Sequence, residues 1–276
     1  IIIPQLYMVD LSFRPNLSPL ERGGDKDFYT LEHYKHFLFG SAGSNNYFNV
    51  VDISVFFKTI FISIIVTILN LLFCYPIAFY IAKVAQPNSA RFLIIALIIP
   101  FWINELLRSF ALRVLLANEG VINTFLTQIG LIDTGLLFIT NNVGLYSGLT
   151  YAYLLLMMFP LYNAIESLDK NQLEAAKDLG SSTFWTHIRV VIPHAKPGIV
   201  SGCTMVFMLT VGALATPVVL GGPNTLWFPE LIYQWFKMSN NWSRGAAYSF
   251  LLLIISVIFV LTMMRLFKVR IGEIIK

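Results

Sequence analysis

Hydrophobic positions in this chain fall in long unbroken runs, with neither the alternation of a half-buried strand nor the single apolar stripe of a soluble helix. Four runs carry no charge: residues 59–82, 143–165, 197–220 and 245–264. A helix needs about 20 consecutive apolar residues to cross a bilayer, so each run predicts one span. A fifth run, 92–117, is similarly apolar but holds Glu105, Arg108 and Arg113 in its second half. With their flanks, the predicted spans cover approximately 54–83, 91–117, 142–165, 197–220 and 245–267. Residues 1–12 read as part of a sixth. The chain opens on Ile1-Ile2-Ile3-Pro4, without a methionine and already apolar. That opening reads as the remnant of a first span or the tail of a signal peptide, although no small-residue cleavage site follows. The predicted fold class is all-α: one polytopic transmembrane domain over 1–276 with six helices, the first truncated.

Two connectors are long. Residues 13–52 are polar and aromatic, with Pro15, Pro19, Gly23-Gly24 and Gly40-Ser41-Ala42-Gly43. They predict an ordered external loop with one short helix over 31–39, which either seals the spans or meets a partner. Residues 166–193 carry a helical pattern of their own. Asp169 can cap a helix with Gln172 as its capping-box partner, and Ile165, Leu168, Ala175, Ala176 and Leu179 fall on or near one face. Gly180 supplies a left-handed residue to end it. Ser181, Ser182 or Thr183 then starts a second helix bearing Phe184, Ile188, Val191 and Ile192, and Pro193 stops it. The product is a helical hairpin with a rim of Glu174, Lys177, Asp178 and Arg189. Such a hairpin either docks into a groove on another protein or folds back on its own spans.

Composition agrees with the runs: 57% of residues are hydrophobic and 12% charged, against about 25% charged in soluble domains. So few charges cannot cover a soluble surface, and so much apolar sequence excludes disorder. The net charge of +4 does not argue for nucleic acid, because basic residues collect on the inner loops of membrane proteins. One set of loops and ends holds ten of them: Lys83, Arg91, Lys170, Lys177, Arg189, Lys196, Arg265, Lys268, Arg270 and Lys276. The other set is much longer and holds six: Arg14, Arg22, Lys26, Lys35, Lys237 and Arg244. The denser side is therefore cytoplasmic, with the hairpin 166–193 and the carboxyl terminus on it. Cys74 and Cys203 lie inside apolar runs and imply neither a disulfide framework nor a metal site. The chain contains no phosphate loop, zinc-protease helix or nucleophile elbow, which argues against an ATPase or an intramembrane enzyme. An ion-gradient carrier needs ionisable groups deep in several spans, and four of the five complete spans have none.

The hairpin contains a specific pattern. Glu174-Ala175-Ala176, three residues, Gly180, nine residues and Val190-Val191-Ile192-Pro193 resemble the EAA loop of ABC-importer permeases, E-A-A-x3-G-x9-I-x-L-P. Val190 replaces the isoleucine and Ile192 the leucine. The resemblance implies the type I importer permease fold in a bacterial inner membrane. It makes the hairpin a coupling helix seated on a separate ATPase, with Glu174, Ala175, Ala176, Asp178, Leu179, Gly180 and Pro193 as its coupling residues. It further implies that ATP and Mg2+ belong to an ATPase dimer and no cofactor to this chain. A second homologous permease and a periplasmic binding protein complete the implied assembly.

A finer resemblance covers most of the chain. The segment Ile99-Pro100-Phe101-Trp102-Ile103-Asn104-Glu105-Leu106-Leu107-Arg108 is similar to P-F-W-T-N-x-L-[IV]-R of polyamine permeases of the spermidine/putrescine type, nearest the first of the two permeases that such importers pair. Gly130-Leu131-Ile132-Asp133-Thr134, Pro160-Leu161-Tyr162 and Ile165-Glu166-Ser167-Leu168-Asp169-Lys170 continue it in order. Glu105 departs from the pattern, standing where a small or polar residue is common, and the segment 216–225 resembles the broader family. The implied cargo is a polyamine, or else another small amine or an aminophosphonate. A cation pathway needs carboxylates and aromatic faces. Glu105 is a candidate for that role, or for an ion pair with Arg108 or Arg113. Trp102, Tyr151 and Tyr153 either stack on a cation or pack, while Asn70 and Asn104 either line a cavity or bond a neighbouring helix. The outer loops hold nine acids against six bases, a mild attraction for cations.

Overall fold

The computed structural model describes residues 2–17, 21, 23–24, 27–40, 48–223 and 225–269. Outside them lie Ile1 of the partial span, Pro19, Arg22, Asp25 and Lys26, the loop residues Ser41-Ala42-Gly43, Asn224, and the terminal bases Arg270 and Lys276. The described residues form helices α1 (Ile2–Ser12), α2 (Glu32–Phe39) and α3 (Val50–Phe79). α2 falls where the sequence places a short helix. α3 begins ahead of the apolar run because Asn49 caps it, its Oδ1 accepting from the Asp52 amide at 3.3 Å. It passes Pro76 and ends in a π turn, Tyr80–Val84.

The predicted span 91–117 is not one helix. α4 (Pro87–Ile98) ends in a 3-10 turn, Ile99–Trp102, and α5 (Glu105–Leu115) leaves at 93°. Pro100 withholds a donor from the turn, Ile103 is extended, and the Asn104 side chain opens a new helix by accepting from the Leu106 amide at 2.8 Å. α6 (Val121–Gln128) and α7 (Val143–Glu166) follow, then α8 (Lys170–Asp178) and α9 (Thr183–Thr186). α9 continues through a π turn, His187–Val191, into α10 (Ile192–Val211). Pro193 therefore does not stop the second hairpin helix, contrary to the sequence reading. The proline ring would collide with the carbonyl four residues back, at Arg189, and that carbonyl sits inside the wider π turn. One unbroken helix results over Thr183–Val211.

The predicted span 197–220 also divides. α10 stops at Gly212, and α11 (Ala215–Leu220) is a separate short helix. Pro217 supplies the reason, since its ring excludes a helical carbonyl at Ala213. α12 (Phe228–Lys237) and α13 (Trp242–Phe267) complete the described helices. Among the described residues, four helices can span a membrane: Val50–Val84, Val143–Glu166, Thr183–Val211 and Trp242–Phe267. The bent pair Pro87–Trp102 and Glu105–Leu115 makes a fifth. α1, at 11 residues, is too short to cross alone.

α3, α7 and α10 form the centre, around Val66, Cys74, Leu149, Met157, Leu161 and Val206. α7 and α10 approach closely because Gly198 and Gly202 face Pro160 and Met157. At the end away from the hairpin, a second cluster joins Phe37 of α2 to Val55, Phe228, Leu231 and Tyr248, with α1 against α13.

Candidate functional site

The hairpin is built by local rules. Asp169 Oδ1 accepts from the Asn171 amide at 3.0 Å and caps α8. At the other end Gly180 has φ of 76°, with Gly180 N–H donating to the Lys177 carbonyl at 2.8 Å and Ser181 N–H to Ala176 at 3.0 Å. These two bonds close a Schellman motif. The apolar stripe divides between two directions. Ile165, Leu168, Ala176 and Val191 are buried against the spans, while Ala175 is exposed together with Glu174 and Asp178. Leu179 is 88% exposed and Phe184 67%. Ala175 and Leu179 therefore do not share the inward face with Ala176, as the spacing had placed them.

Long-range contacts hold the hairpin on the bundle. Lys83 Nζ donates to the Glu166 carbonyl at 2.9 Å and to the Leu168 carbonyl, tying the end of α3 to the end of α7. Tyr75 Oη lies 2.7 Å from His187 Nδ1, and the Phe79 ring lies 4.4 Å from the His187 ring. Ser167 Oγ meets His194 Nε2 at 3.0 Å. Beside them, an open cleft of about 610 Å³ runs between α7 and α10, lined by Phe159, Asn163, His194, Ser201 and Met205 among others.

The second site lies where the bend between α4 and α5 meets the short helix α11. α5 packs on α11 and α7. Glu105 Oε1 accepts from Thr216 Oγ1 at 2.8 Å and from Tyr153 Oη at 3.2 Å, and Ser109 Oγ is 3.1 Å from the same threonine oxygen. Glu105 forms no ion pair among the described residues. Arg108, one turn on, instead lies over the rings of Phe101 and Tyr151, at 5.0 and 5.7 Å. Arg113 donates to the Val219 carbonyl. Of the ionic and pathway readings for Glu105, pairing with either arginine is therefore not realised. Tyr153 joins Glu105 directly, and Tyr151 enters through Arg108. Asn104 caps α5. Trp102 is 86% exposed and stands apart. Asn70 is fully buried on α3, where its Nδ2 donates to the Val66 carbonyl at 3.1 Å and its Oδ1 has no hydrogen-bond partner among the described residues.

Residues 53–271 match the family described as binding-protein-dependent transport system inner membrane component. The chain belongs to that family. It is a permease subunit of a transport system and a multi-pass inner membrane protein. The permease is 34% identical to the spermidine/putrescine transport system permease protein PotB of Haemophilus influenzae over 253 residues, covering 90% of this chain and 82% of that one. It is also 34% identical to PotB of Escherichia coli strain K12 over 256 residues, covering 92% and 88%. Among solved structures, it resembles a chain of a bacterial alginate ABC transporter in complex with an alginate pentasaccharide-bound periplasmic protein. There the TM-score is 0.71 at 17% identity, covering 98% of this chain and 91% of that one. The fold is thus that of an ABC importer permease.

Several residues that build the permease's two sites carry no local sequence signal. Thr216 and Ser109 are ordinary polar residues in apolar runs, and only packing of α11 on α5 gives them a role. Lys83 reads as a positive-inside marker, and His187 as one more polar residue of the hairpin. The one usable hint was Pro217, which breaks the helix beside Thr216.

Proposed function

We propose that this chain is the transmembrane permease subunit of an ATP-driven ABC importer that carries polyamines, spermidine or putrescine, or a related organic cation, from periplasm to cytoplasm. The observation that carries the reading is the 34% identity to PotB over nine-tenths of the chain, which takes in the hairpin and the Glu105 cluster alike. The hairpin 166–193 faces the cytoplasm, as does the carboxyl terminus, and it docks on a dimer of separate ATPase subunits that bind ATP and Mg2+. Its geometry suits that role: Leu179 and Phe184 stand clear of the bundle, Glu174, Ala175 and Asp178 line the exposed side of α8, and Gly180 sets the turn. A homologous second permease completes the pore, and a periplasmic binding protein delivers the cargo to the loop 13–52 side. The substrate path includes Glu105, Tyr151, Tyr153, Asn104 and Trp102. Asn70 contributes from α3.

Because α9 and α10 are one helix, motion of the docked hairpin passes directly into a span that packs on α7 and α3. ATP binding closes the ATPase dimer and turns the pore outward, and hydrolysis resets it. The test is ATPase stimulation in the reconstituted complex by binding proteins loaded with a panel of amines. Stimulation by spermidine or putrescine supports the reading. Stimulation by an aminophosphonate or an amino acid alone overturns the cargo assignment, and uptake without any ATPase overturns the importer class.

A further inference from the structure

We infer that Glu105 is the specificity-determining carboxylate of the pore, a mid-membrane site for a primary ammonium group; this rests on the amine-importer reading above. Depth is the first argument. Tyr153 is the eleventh of the 24 residues of α7, close to the middle of a helix that spans the bilayer, and its hydroxyl touches Glu105. The carboxylate therefore sits near the membrane midplane, where an ionisable side chain is costly and ordinarily functional. The second argument is the backbone around it. Glu105 opens α5 at the bend of the broken span, and Thr216 lies in the first turn of α11, the short helix that follows the Thr183–Val211 span. An interrupted span at membrane depth occurs where it lines a cavity or is enclosed by protein.

The third argument is the accounting of donors. An ionised carboxylate has about four acceptor positions. Tyr153 and Thr216 both donate to Oε1, leaving Oε2 without a partner among the described residues. Two hydroxyl donors and the amino-terminal end of α5 converge on this carboxyl group. Yet among the described residues no lysine or arginine pairs with it. Arg108, the nearest cation in sequence, is held on the faces of Phe101 and Tyr151. Those two rings already carry a guanidinium, so the carboxylate rather than ring stacking is left to recognise an incoming amine. A primary ammonium brings three N–H donors in a compact head that fits a single free oxygen. Tyr153 and Thr216 act as positioning residues that aim Oε2.

The test uses the whole complex in proteoliposomes with its binding protein and putrescine or spermidine. Glu105→Gln keeps an oxygen that accepts the same two hydrogen bonds and removes only the charge. Uptake is expected to fall about tenfold or more in Glu105→Gln, as for loss of one partner of a desolvated charge pair, and to recover in part in Glu105→Asp. A second readout is carbodiimide modification of Glu105, followed by mass spectrometry, which the amine is expected to slow in the outward-facing complex. Wild-type uptake in Glu105→Gln overturns the inference. So does modification that the amine does not slow, since a purely structural carboxylate has no reason to be protected. A wild-type complex that imports no amine overturns the functional reading and this inference with it. Normal wild-type uptake with an indifferent Glu105→Gln overturns the inference alone.

Discussion

Gly198 and Gly180 are both indispensable as glycines, for unrelated reasons. A Cβ on Gly198 would lie 2.4 Å from the Pro160 carbonyl oxygen and 2.5 Å from the Ala164 Cβ, atoms that cannot rotate away. Gly198→Ala is therefore expected to push α10 off α7 and cost about 1–3 kcal/mol, seen as a lower melting temperature of the purified complex. Gly148→Ala makes a control: its closest contact is the rotatable Leu220 Cδ1, so the loss should be clearly smaller. Gly180 has open space around it and needs only its positive φ. Gly180→Ala should cost about 1–2 kcal/mol locally, whereas Gly180→Pro cannot adopt the turn and should abolish transport. Transport that persists in Gly180→Pro would contradict the coupling role. Gly180 was legible in the sequence because its helix, its turn and its successor are adjacent in the chain. Gly198 was not, since the carbonyl it must clear belongs to another span. The same division separates Asp169, whose capping partner is two residues away, from Glu105, whose partners lie 48 and 111 residues away.

Apolar runs located the membrane-spanning elements but could not reveal where two of them break. Residues 92–117 and 197–220 satisfy a hydropathy criterion as continuous spans because hydropathy counts apolar side chains and ignores backbone donors. Pro100 and Pro217 interrupt helices where the chain can turn, while Pro193 is absorbed by a π turn; a proline alone does not say which will happen. The hairpin's faces were also only half legible. A short helix offers an apolar stripe, and tertiary packing chooses which part of it turns inward; here Ala176 went in and Leu179 went out. Between elements, Lys83 is the tie most open to test. Lys83→Met removes the ammonium that bonds the Glu166 carbonyl at the end of α7 and the Leu168 carbonyl just beyond it, a loss of about 1 kcal/mol for a partly exposed bond. Expected are several-fold weaker transport per ATP hydrolysed and recovery in Lys83→Arg. An unchanged transport-to-hydrolysis ratio in Lys83→Met would show that this tie does not transmit motion.

Across the whole molecule, the hairpin and the α2 cap occupy opposite ends of α3, so conditions that disturb one need not disturb the other. His33 and His36 of α2 have imidazole pKa values lowered from 6.5, mainly because burial disfavours the charged ring. A lowered folded pKa means the unfolded cap binds protons first as pH falls. Stability is thus complete above 6.5 and is lost on acidification through the lowered folded values. Hydrogen exchange over α2 should accelerate between about pH 7 and about pH 5 after correction for intrinsic rates, while α7 stays protected; equal protection at both values would contradict this. By itself the sequence determined that the protein is helical and membrane-embedded, that it has a hairpin closed by Gly180, and which family its motif resembles. Each of these depends on neighbours along the chain or on bulk apolarity. Only the tertiary structure decided that Glu105 meets Tyr153 and Thr216 rather than Arg108, that Lys83 and His187 brace the hairpin, and that α9 and α10 are one helix. Those outcomes are set by which side chains distant segments bring within about 3 Å of each other, a distance at which hydrogen bonds form and which no local pattern encodes.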